Sequence, residues 1–365
     1  GQIVRDGGLV EDDIHYQGGS IVESPGDGPV IDADGLIVAP GLIDIQINGA
    51  FGHDFTQDPT SIWRVGERLP ELGVTSFVPT VVTSPAETTD LAIDVVAHRR
   101  PLDYRGADVL GLHFEGPWIS PDMHGAHNPS HIVDPDASVA RRWAESGVVR
   151  IVTLAPEREG AEAVMDILTR AGVVVSLGHS AATFDTARRA FANGAALATH
   201  LFNQMSPLHH RDPGVVGASL LSGLPATLIV DGLHVSAGAL EVAWRLLGEK
   251  GTVLVTDAMA ALGLGRGTYP LGDGPITVGA DGPRTSDGRL AGSVVTLPEA
   301  IRNLATTTSA DVPTAILAAT ENPARVLGLV DRGTLRPGTR ADFTLLDERG
   351  RPVSTIIAGT TFAAT

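Results

Sequence analysis

Four polar residues each stand directly after, or at the end of, an apolar run of the sequence. Glu115, His179, His200 and Asp257 follow runs that read as β-strands, so we expect all four at strand ends. Carboxylates and imidazoles are groups that hold divalent metals or transfer protons. The chain has no cysteine, so any metal site must be built from His and carboxylate ligands.

Three of these residues fit the ligand set of a catalytic zinc ion. Zn²⁺ at such a site typically takes three protein ligands and leaves one position for water, whose pKa it lowers to about 7. Each residue alone has a structural alternative, as a hydrogen-bonded His or an ion-paired Glu. One metal site explains all three residues, whereas the structural alternatives require three independent roles at neighbouring strand ends. We therefore predict that Glu115, His179 and His200 bind one divalent metal ion, with Zn²⁺ first and other divalent transition metals as alternatives.

Asp257 ends the last of the apolar runs and would face the metal site from across the same mouth. Its structural alternative is to cap the loop or helix that follows. A carboxylate at this position could instead act first as a general base toward water and then as a general acid toward a leaving nitrogen. Hydrolysis of an amide needs both steps.

Composition limits the partners and the location of the protein. The 365 residues are 43% hydrophobic and 19% charged, which is typical of a globular enzyme. The net charge of -17 argues against nucleic acid or an anionic membrane surface as a partner. The sequence shows no signal-peptide pattern and no apolar run of roughly 18 residues, so a cytoplasmic location is expected.

The order of the predicted elements indicates an α/β fold. Eight β-rich runs alternate with helical stretches, which implies parallel pairing and favours a (β/α)₈ TIM-like barrel. A barrel brings the strand ends around one mouth, whereas a doubly wound open sheet, the alternative, would spread them out. The runs cover residues 43–47, 75–80, 109–114, 149–154, 173–177, 196–200, 226–230 and 252–256.

Two helices carry terminal signals. Ser84 is a predicted N-cap, followed by Pro85 and by Glu87 at the third helical position. A second predicted helix covers residues 183–193 and is closed by Gly194.

The two ends of the chain lack the alternation of strands and helices that the middle shows. Residues 1–39 and 333–365 contain short alternating segments with turn signals, such as Asp27-Gly28. We predict that they form one small β-sandwich domain, and that residues 40–332 form the catalytic barrel.

Several longer segments resemble the N-acetylglucosamine-6-phosphate deacetylases of the amidohydrolase superfamily, over nearly the whole chain. Generic amidohydrolases share the barrel and the metal ligands but lack the Gly-x-His-Asn-Pro and Asp-Gly-Leu-His segments. The segments that carry the resemblance lie at residues 39–44, 113–118, 125–129, 178–180, 199–205, 231–235, 256–258, 291–293 and 333–338.

The resemblance implies an activity and a role for each site residue. The family hydrolyses the acetamide of N-acetylglucosamine 6-phosphate to glucosamine 6-phosphate and acetate, in amino-sugar catabolism and cell-wall recycling. Glu115, His179 and His200 look like the metal ligands, and Asp257 looks like the catalytic acid and base. The remaining matches are His127, which helps polarise the acetyl carbonyl, His234 at the sugar hydroxyls, Asn203 and Gln204 at the phosphate, and Arg211.

Arg211 is similar to an arginine that reaches the phosphate in the neighbouring subunit's site, so the resemblance implies a homodimer. The alternative role of Arg211 is a solvated loop charge. An acidic protein that binds a phosphosugar needs such a cation, and the guanidinium fork suits phosphate.

The first strand departs from many amidohydrolases, which carry His-x-His there and bind a second metal. This chain has Gln46 and Asn48 instead, as some members of the family do. Amides are poor ligands beside imidazoles, so one metal is expected, although His53 keeps a second weak site open.

Three other functions remain as alternatives. The first is the same reaction on N-acetylgalactosamine 6-phosphate, since the sequence does not fix how His234 points. The second is a cyclic amidase such as a dihydroorotase, which commonly bridges two metals with a carbamylated Lys; no Lys stands at a suitable strand end here. The third is a catalytically silent barrel that only binds sugars.

Overall fold

Eight parallel strands form the central sheet of the protein, as a computed structural model shows for residues 1–5, 7–24 and 30–364. Each strand pairs with the next one along the chain, which is the order of a (β/α)₈ barrel. The strands are Leu42–Ile47, Val74–Val82, Leu112–Glu115, Val149–Leu154, Val174–Leu177, Leu197–Ala198, Ala226–Leu228 and Thr252–Leu254.

The first strand and the segment after the eighth close the barrel. Ile47 forms a parallel bridge with Ala258, and the Asn48 amide donates to the Ala258 carbonyl at 2.7 Å. The Asp257 amide donates to the Gln46 carbonyl at 2.8 Å. The closed barrel is therefore confirmed and the open sheet is excluded.

Five strands, the third and the fifth to the eighth, are shorter than predicted, and backbone conformation explains two of the differences. The third stretch is divided between Asp108–Val109 and Leu112–Glu115, because Gly111 between them has φ 131°. A Cβ atom at Gly111 would lie 2.4 Å from the Val148 carbonyl oxygen. The sixth strand ends at Ala198, just before His200 turns to φ 29°, and the seventh ends at Leu228.

Helices follow most of the barrel strands and pack against the outside of the sheet. They are Ile62–Arg68, Ala86–His98, Ala137–Glu145, Ala161–Arg170, Phe184–Ala192, Gly214–Leu221, Ala237–Gly251, Leu297–Thr307, Val312–Leu317 and Glu321–Val326. Short 3₁₀ turns cover Pro59–Ser61, Leu69–Leu72, Pro121–Met123 and Pro129–His131. Among the described residues, no helix combines the length and apolar character needed to cross a bilayer.

The two predicted helix signals have different outcomes. Thr183 is the N-cap of Phe184–Ala192, its hydroxyl accepts from the Thr186 amide, and Gly194 beyond the end has φ 112°. The Ser84 cap is wrong, because the other helix begins at Ala86 with Pro85 as its N-cap. The Ser84 hydroxyl is buried and has no hydrogen-bond partner within the described residues.

Both termini contribute to one six-stranded sheet beside the barrel. The first and last segments meet where Ile37–Pro40 pairs with Phe343–Leu346. The strands, in sheet order, are Gly8–Glu11, Gln2–Arg5, Ile37–Pro40, Phe343–Leu346, Pro352–Ile357 and Thr360–Ala363.

A small apolar core joins this sheet to a short hairpin. The hairpin pairs His15–Gln17 with Ser20–Val22, and its Ile21 packs with Ile3 and Phe343. The predicted Asp27-Gly28 turn lies outside the described residues. We keep 1–39 and 333–365 as the proposed extent of the terminal domain.

A three-stranded antiparallel sheet inserted after the eighth barrel strand covers one side of the barrel mouth. It consists of Gly267–Leu271, Gly274–Gly279 and Gly282–Arg284. The insertion is fixed to the loop after the first barrel strand, since the buried Asp54 carboxylate accepts from the Gly272 amide at 3.2 Å. A two-stranded hairpin of Gly49–Ala50 and His53–Asp54 forms that loop.

Candidate active site

Glu115, His179 and His200 meet at the mouth of the barrel. Glu115 Oε1 lies 3.2 Å from His179 Nε2 and 2.9 Å from His200 Nε2, and the two Nε2 atoms are 3.1 Å apart. All three side chains are buried. Within the described residues this is the only group of three or more His, Asp or Glu ligand atoms lying within 4.8 Å of one another, and His53 is not part of it.

The hydrogen bonds of this cluster suit a cation. His179 Nδ1 donates to the Met123 carbonyl at 2.8 Å, which leaves the Nε2 lone pair directed at the cluster. Two imidazole nitrogens and a carboxylate oxygen thus converge with too few protons to satisfy them all. A divalent cation would satisfy the three atoms together, so the residues present fit a metal ion.

The electrostatic environment stabilises the ionised Glu115. Burial raises the pKa of the Glu115 carboxyl, but its close contacts with His179 and His200 outweigh burial and hold that pKa well below its usual range. Burial lowers the pKa of His200, whereas its hydrogen bond to Glu115 raises it above the ordinary value. A carboxylate that stays ionised is the form that a metal requires.

Three of the four predicted strand-end residues have left-handed backbone conformations. The φ angles are 48° at His179, 29° at His200 and 46° at Asp257. Non-glycine residues rarely adopt such angles, and they are concentrated at functional sites where the surrounding structure holds them in place. The strands therefore end in tight bends that turn these side chains into the mouth.

Asp257 is held by amides of the first strand and does not act as a helix cap. Its Oδ1 accepts from Asn48 Nδ2 at 2.8 Å and from Gln46 Nε2 at 3.4 Å. Burial, and next the charge of Glu115, raise the pKa of the Asp257 carboxyl to about 6. The carboxylate is positioned beside the cluster and has a pKa closer to neutrality than an exposed Asp, as proton transfer near pH 7 requires.

Gln46 and Asn48 were predicted only as residues that do not bind a second metal. Gln46 Nε2 also donates to Glu115 Oε1 at 3.1 Å, so one amide connects the metal cluster to Asp257. Where many amidohydrolases place imidazoles, this chain places hydrogen-bond donors to carboxylates. Their spacing could have predicted these contacts, because residues two apart on a strand lie on the same face of the sheet.

His127 is buried at the edge of the cluster, and its Nε2 lies 3.8 Å from Glu115 Oε2. The Thr83 amide points at His127 Nδ1 at 3.4 Å, and the Thr83 hydroxyl lies 2.8 Å from the same nitrogen. Because an amide N–H only donates, we assign the lone pair to Nδ1 and the proton to Nε2. Burial, with the neighbouring His179, lowers the pKa of His127 to about 3, so the ring is neutral near pH 7.

A cavity of about 330 Å³ opens above these residues. Asn203, Gln204 and His234 line it, and His234 Nδ1 is held by Asp231 Oδ2 at 2.7 Å. The backbone amide and the side-chain amide of Asn203 both donate to the His200 carbonyl at 3.0 Å. These hydrogen bonds occupy donors that were predicted to face the phosphate. The volume falls in the range of small-molecule sites.

Arg211 is separate from this cavity. It lies in an exposed loop, where its Nη1 atom contacts His210 Nε2 at 2.7 Å, and it is absent from the described residues that line the cavity of its own chain.

Comparison with known proteins gives matches along almost the entire chain. A model of the amidohydrolase family matches residues 37–362. The chain is 40% identical to an N-acetylglucosamine-6-phosphate deacetylase of Bos taurus, over 98% of this chain and 93% of that protein. A deacetylase of the same name from Lysinibacillus sphaericus is 39% identical over 90% of this chain and 86% of its own length.

Solved structures agree with the sequence matches. N-acetylglucosamine-6-phosphate deacetylase from Pasteurella multocida superposes with a TM-score of 0.93 at 30% identity, covering 99% of this chain and 97% of the other. A mutant of the Mycobacterium smegmatis deacetylase, in complex with N-acetyl-D-glucosamine-6-phosphate, gives a TM-score of 0.85 at 32% identity, over 95% and 93% of the two chains.

Proposed function

This chain belongs to the amidohydrolase family, and from that premise we propose that it hydrolyses the acetamide of N-acetylglucosamine 6-phosphate to glucosamine 6-phosphate and acetate. The observation that carries the proposal is the placement of Asp257 and His127 around the Glu115, His179 and His200 cluster in one cavity. A homodimer and a cytoplasmic location are part of the proposal.

Glu115, His179 and His200 would hold one metal ion, with Zn²⁺ as the proposed ion because the donors are one carboxylate and two imidazoles. When bound, such an ion supplies Lewis-acid polarisation of the acetyl carbonyl and lowers the pKa of water. Gln46 donates to Glu115 and orients its carboxylate for this role.

Asp257 performs the proton transfers. In the first step it accepts a proton as the water oxygen forms a bond to the acetyl carbon. In the second step it donates that proton to the nitrogen as the carbon–nitrogen bond breaks, which releases the amine and acetate. Asn48 and Gln46 fix the carboxylate in position for both steps.

His127 stabilises the negative charge that develops on the acetyl oxygen. Its neutral ring presents Nε2–H to the cavity, because Thr83 occupies Nδ1. A donor fixed in position before the reaction stabilises the transition state without reorganisation.

The rest of the cavity would hold the sugar phosphate. Asn203 and Gln204 are the proposed phosphate contacts within the chain, and His234, oriented by Asp231, is the proposed contact to the sugar hydroxyls. Arg211 would reach the phosphate in the partner subunit's site.

The proposal is tested by acetate release from N-acetylglucosamine 6-phosphate and N-acetylgalactosamine 6-phosphate, after chelation and again after return of a divalent metal. We expect release from the gluco substrate that is lost on chelation and restored by the metal. Faster release from the galacto epimer would support the alternative substrate. No release from either would indicate a silent sugar-binding barrel.

The Arg211 role predicts complementation between two defective chains. Asp257→Asn and Arg211→Ala homodimers should each turn over the phosphosugar weakly or not at all. In a heterodimer one site combines both defects, while the other has an intact Asp257 and receives an intact Arg211 from its partner. Random reassembly gives about half heterodimers, so roughly a quarter of all sites should recover.

The measurement is acetate release by co-expressed chains, with heterodimers verified by mass. An Arg211 that acts within its own chain leaves every site with one defect and gives no recovery. A mixture no more active than the sum of its parents would therefore disprove the intersubunit contact.

A further inference from the structure

Two arginines of the inserted sheet line the same cavity. Among the described residues around the cavity, Arg284 and Arg289 are the only Arg or Lys side chains. Arg284 is half-buried at the end of the strand Gly282–Arg284, and its Nη1 donates to the Gly288 carbonyl at 2.7 Å. It forms no ion pair with a carboxylate of residues 1–5, 7–24 or 30–364.

Arg289 lies on the side of the cavity where Gln204 is found. Its Nη1 atom is 3.3 Å from the Gly125 carbonyl oxygen, and Nε pairs with Asp287 at 3.1 Å. Gly125 in turn lies against Gln204, because a Cβ atom at Gly125 would be 3.0 Å from Gln204 Cγ. The guanidinium is therefore close to one of the two residues proposed to contact the phosphate.

An anionic ligand in this cavity must be bound by local positive groups, because the other charges oppose it. The chain carries a net charge of -17, and the carboxylates of Glu115 and Asp257 line the same cavity. A half-buried guanidinium without a carboxylate partner is stabilised when an anion binds to it. A phosphate accepts paired hydrogen bonds from a guanidinium in the geometry that its fork presents.

The first turn of the insertion is held to two loops at the mouth of the barrel. Asp54 accepts from the Gly272 amide, as described above. The carboxylate of the next residue, Asp273, lies 2.9 Å from Asn128 Nδ2 and 2.8 Å from His131 Nε2. These contacts connect the insertion to the loop that contains His127.

We propose that Arg284 and Arg289 form an intrachain phosphate-binding wall, which holds the phosphate dianion of the substrate from the chain's own inserted sheet. The inference rests on the proposed function. It differs from the Arg211 contact because both cations belong to the subunit that carries the metal cluster.

The test compares kcat/KM for N-acetylglucosamine 6-phosphate with kcat/KM for unphosphorylated N-acetylglucosamine. In Arg284→Gln and Arg289→Gln, the ratio of the two values should fall about tenfold per substitution, the scale of a lost charged hydrogen bond. The loss should lie in KM, because the phosphate contact is the same in the ground and transition states. The Ki of inorganic phosphate as a competitive inhibitor should rise by a similar factor.

Arg266→Gln is the matched control. Arg266 is exposed in the same insertion, outside the cavity lining, so its substitution should leave the ratio and the Ki as in the wild type. Arg289 is half exposed, so its substitution is compatible with folding even if that of Arg284 is not. A disturbance of the His127 loop would slow both substrates equally and leave the ratio unchanged.

Ratios and phosphate Ki values within twofold of the wild type in the arginine variants would overturn the wall. Wild-type protein that releases no acetate from the phosphosugar would instead overturn the proposed function. In that case the Ki experiment is replaced by direct titration of inorganic phosphate. Weaker binding in the arginine variants than in Arg266→Gln would still support the wall, and equal binding would reject it.

Discussion

Replacing Glu115, His179 or His200 with Ala should abolish both the bound metal and turnover. The three ligand atoms lie within 4.8 Å of one another, and each would supply one of three protein bonds to the ion. Loss of one bond leaves two ligands, too few for the three-ligand sites that hold catalytic zinc. Elemental analysis should find about one divalent ion per wild-type chain and none per variant chain, with acetate release measured on the same preparations.

His98→Ala provides the control for the metal analysis. His98 is exposed at the end of the helix Ala86–His98 and is not part of the cluster, so its loss removes one imidazole without changing a ligand. Its metal content and turnover should equal those of the wild type. Two tightly bound ions in the wild type would show that the first strand, despite Gln46 and Asn48, completes a second site. An ion retained in all three Ala variants would show that the ligands are elsewhere.

The barrel was predictable because its strands are short, apolar and separated by helical periodicity. Each of the eight predicted runs contains one of the eight barrel strands or overlaps it closely. The strand ends were less predictable. The bend at His200 depends on a left-handed φ angle that the residue type disfavours, so only the tertiary surroundings specify it.

Residues with no ionisable group were the main omission from the predicted site. Gln46 and Asn48 were considered only because they replace the two histidines of other amidohydrolases. In the structure they orient Glu115 and Asp257. Their roles depend on closure of the barrel, which brings the first strand beside the segment after the eighth. A contact between residues about 210 positions apart has no local signal in the sequence.

The inserted sheet was also missed, and here the sequence did contain a signal. Asp273-Gly274 and Asp281-Gly282 are dipeptides favoured in hairpin turns, and each lies at a turn between two strands of the insertion. Because these strands follow the eighth barrel strand and are not part of the barrel pattern, neither they nor the two arginines that line the cavity from them were predicted.

Asp257→Asn should retain the metal and lose at least about 10²-fold in turnover, the scale of general acid–base catalysis. The substitution preserves the size of the side chain and one oxygen that can accept from Asn48 Nδ2. It removes the proton acceptor, because an amide is not protonated near pH 7. Metal content and kcat are the quantities to measure, with KM expected to change much less than kcat.

Asp231→Asn is the control for Asp257→Asn. It shows what the loss of a carboxylate at the barrel mouth does when that carboxylate does not transfer a proton. Asp231 holds His234 Nδ1 at 2.7 Å and caps the Leu233 and His234 amides, so it acts on sugar binding through His234. Its loss should appear mainly in KM, whereas the loss in Asp257→Asn should appear in kcat because the carboxylate acts on the bonds that form and break. Near-normal kcat in Asp257→Asn with the metal still bound would reduce Asp257 to a structural partner of Asn48. Both variants lack one carboxylate at the mouth, and both should retain the metal. A much larger loss of kcat in Asp257→Asn than in Asp231→Asn would therefore assign proton transfer to Asp257.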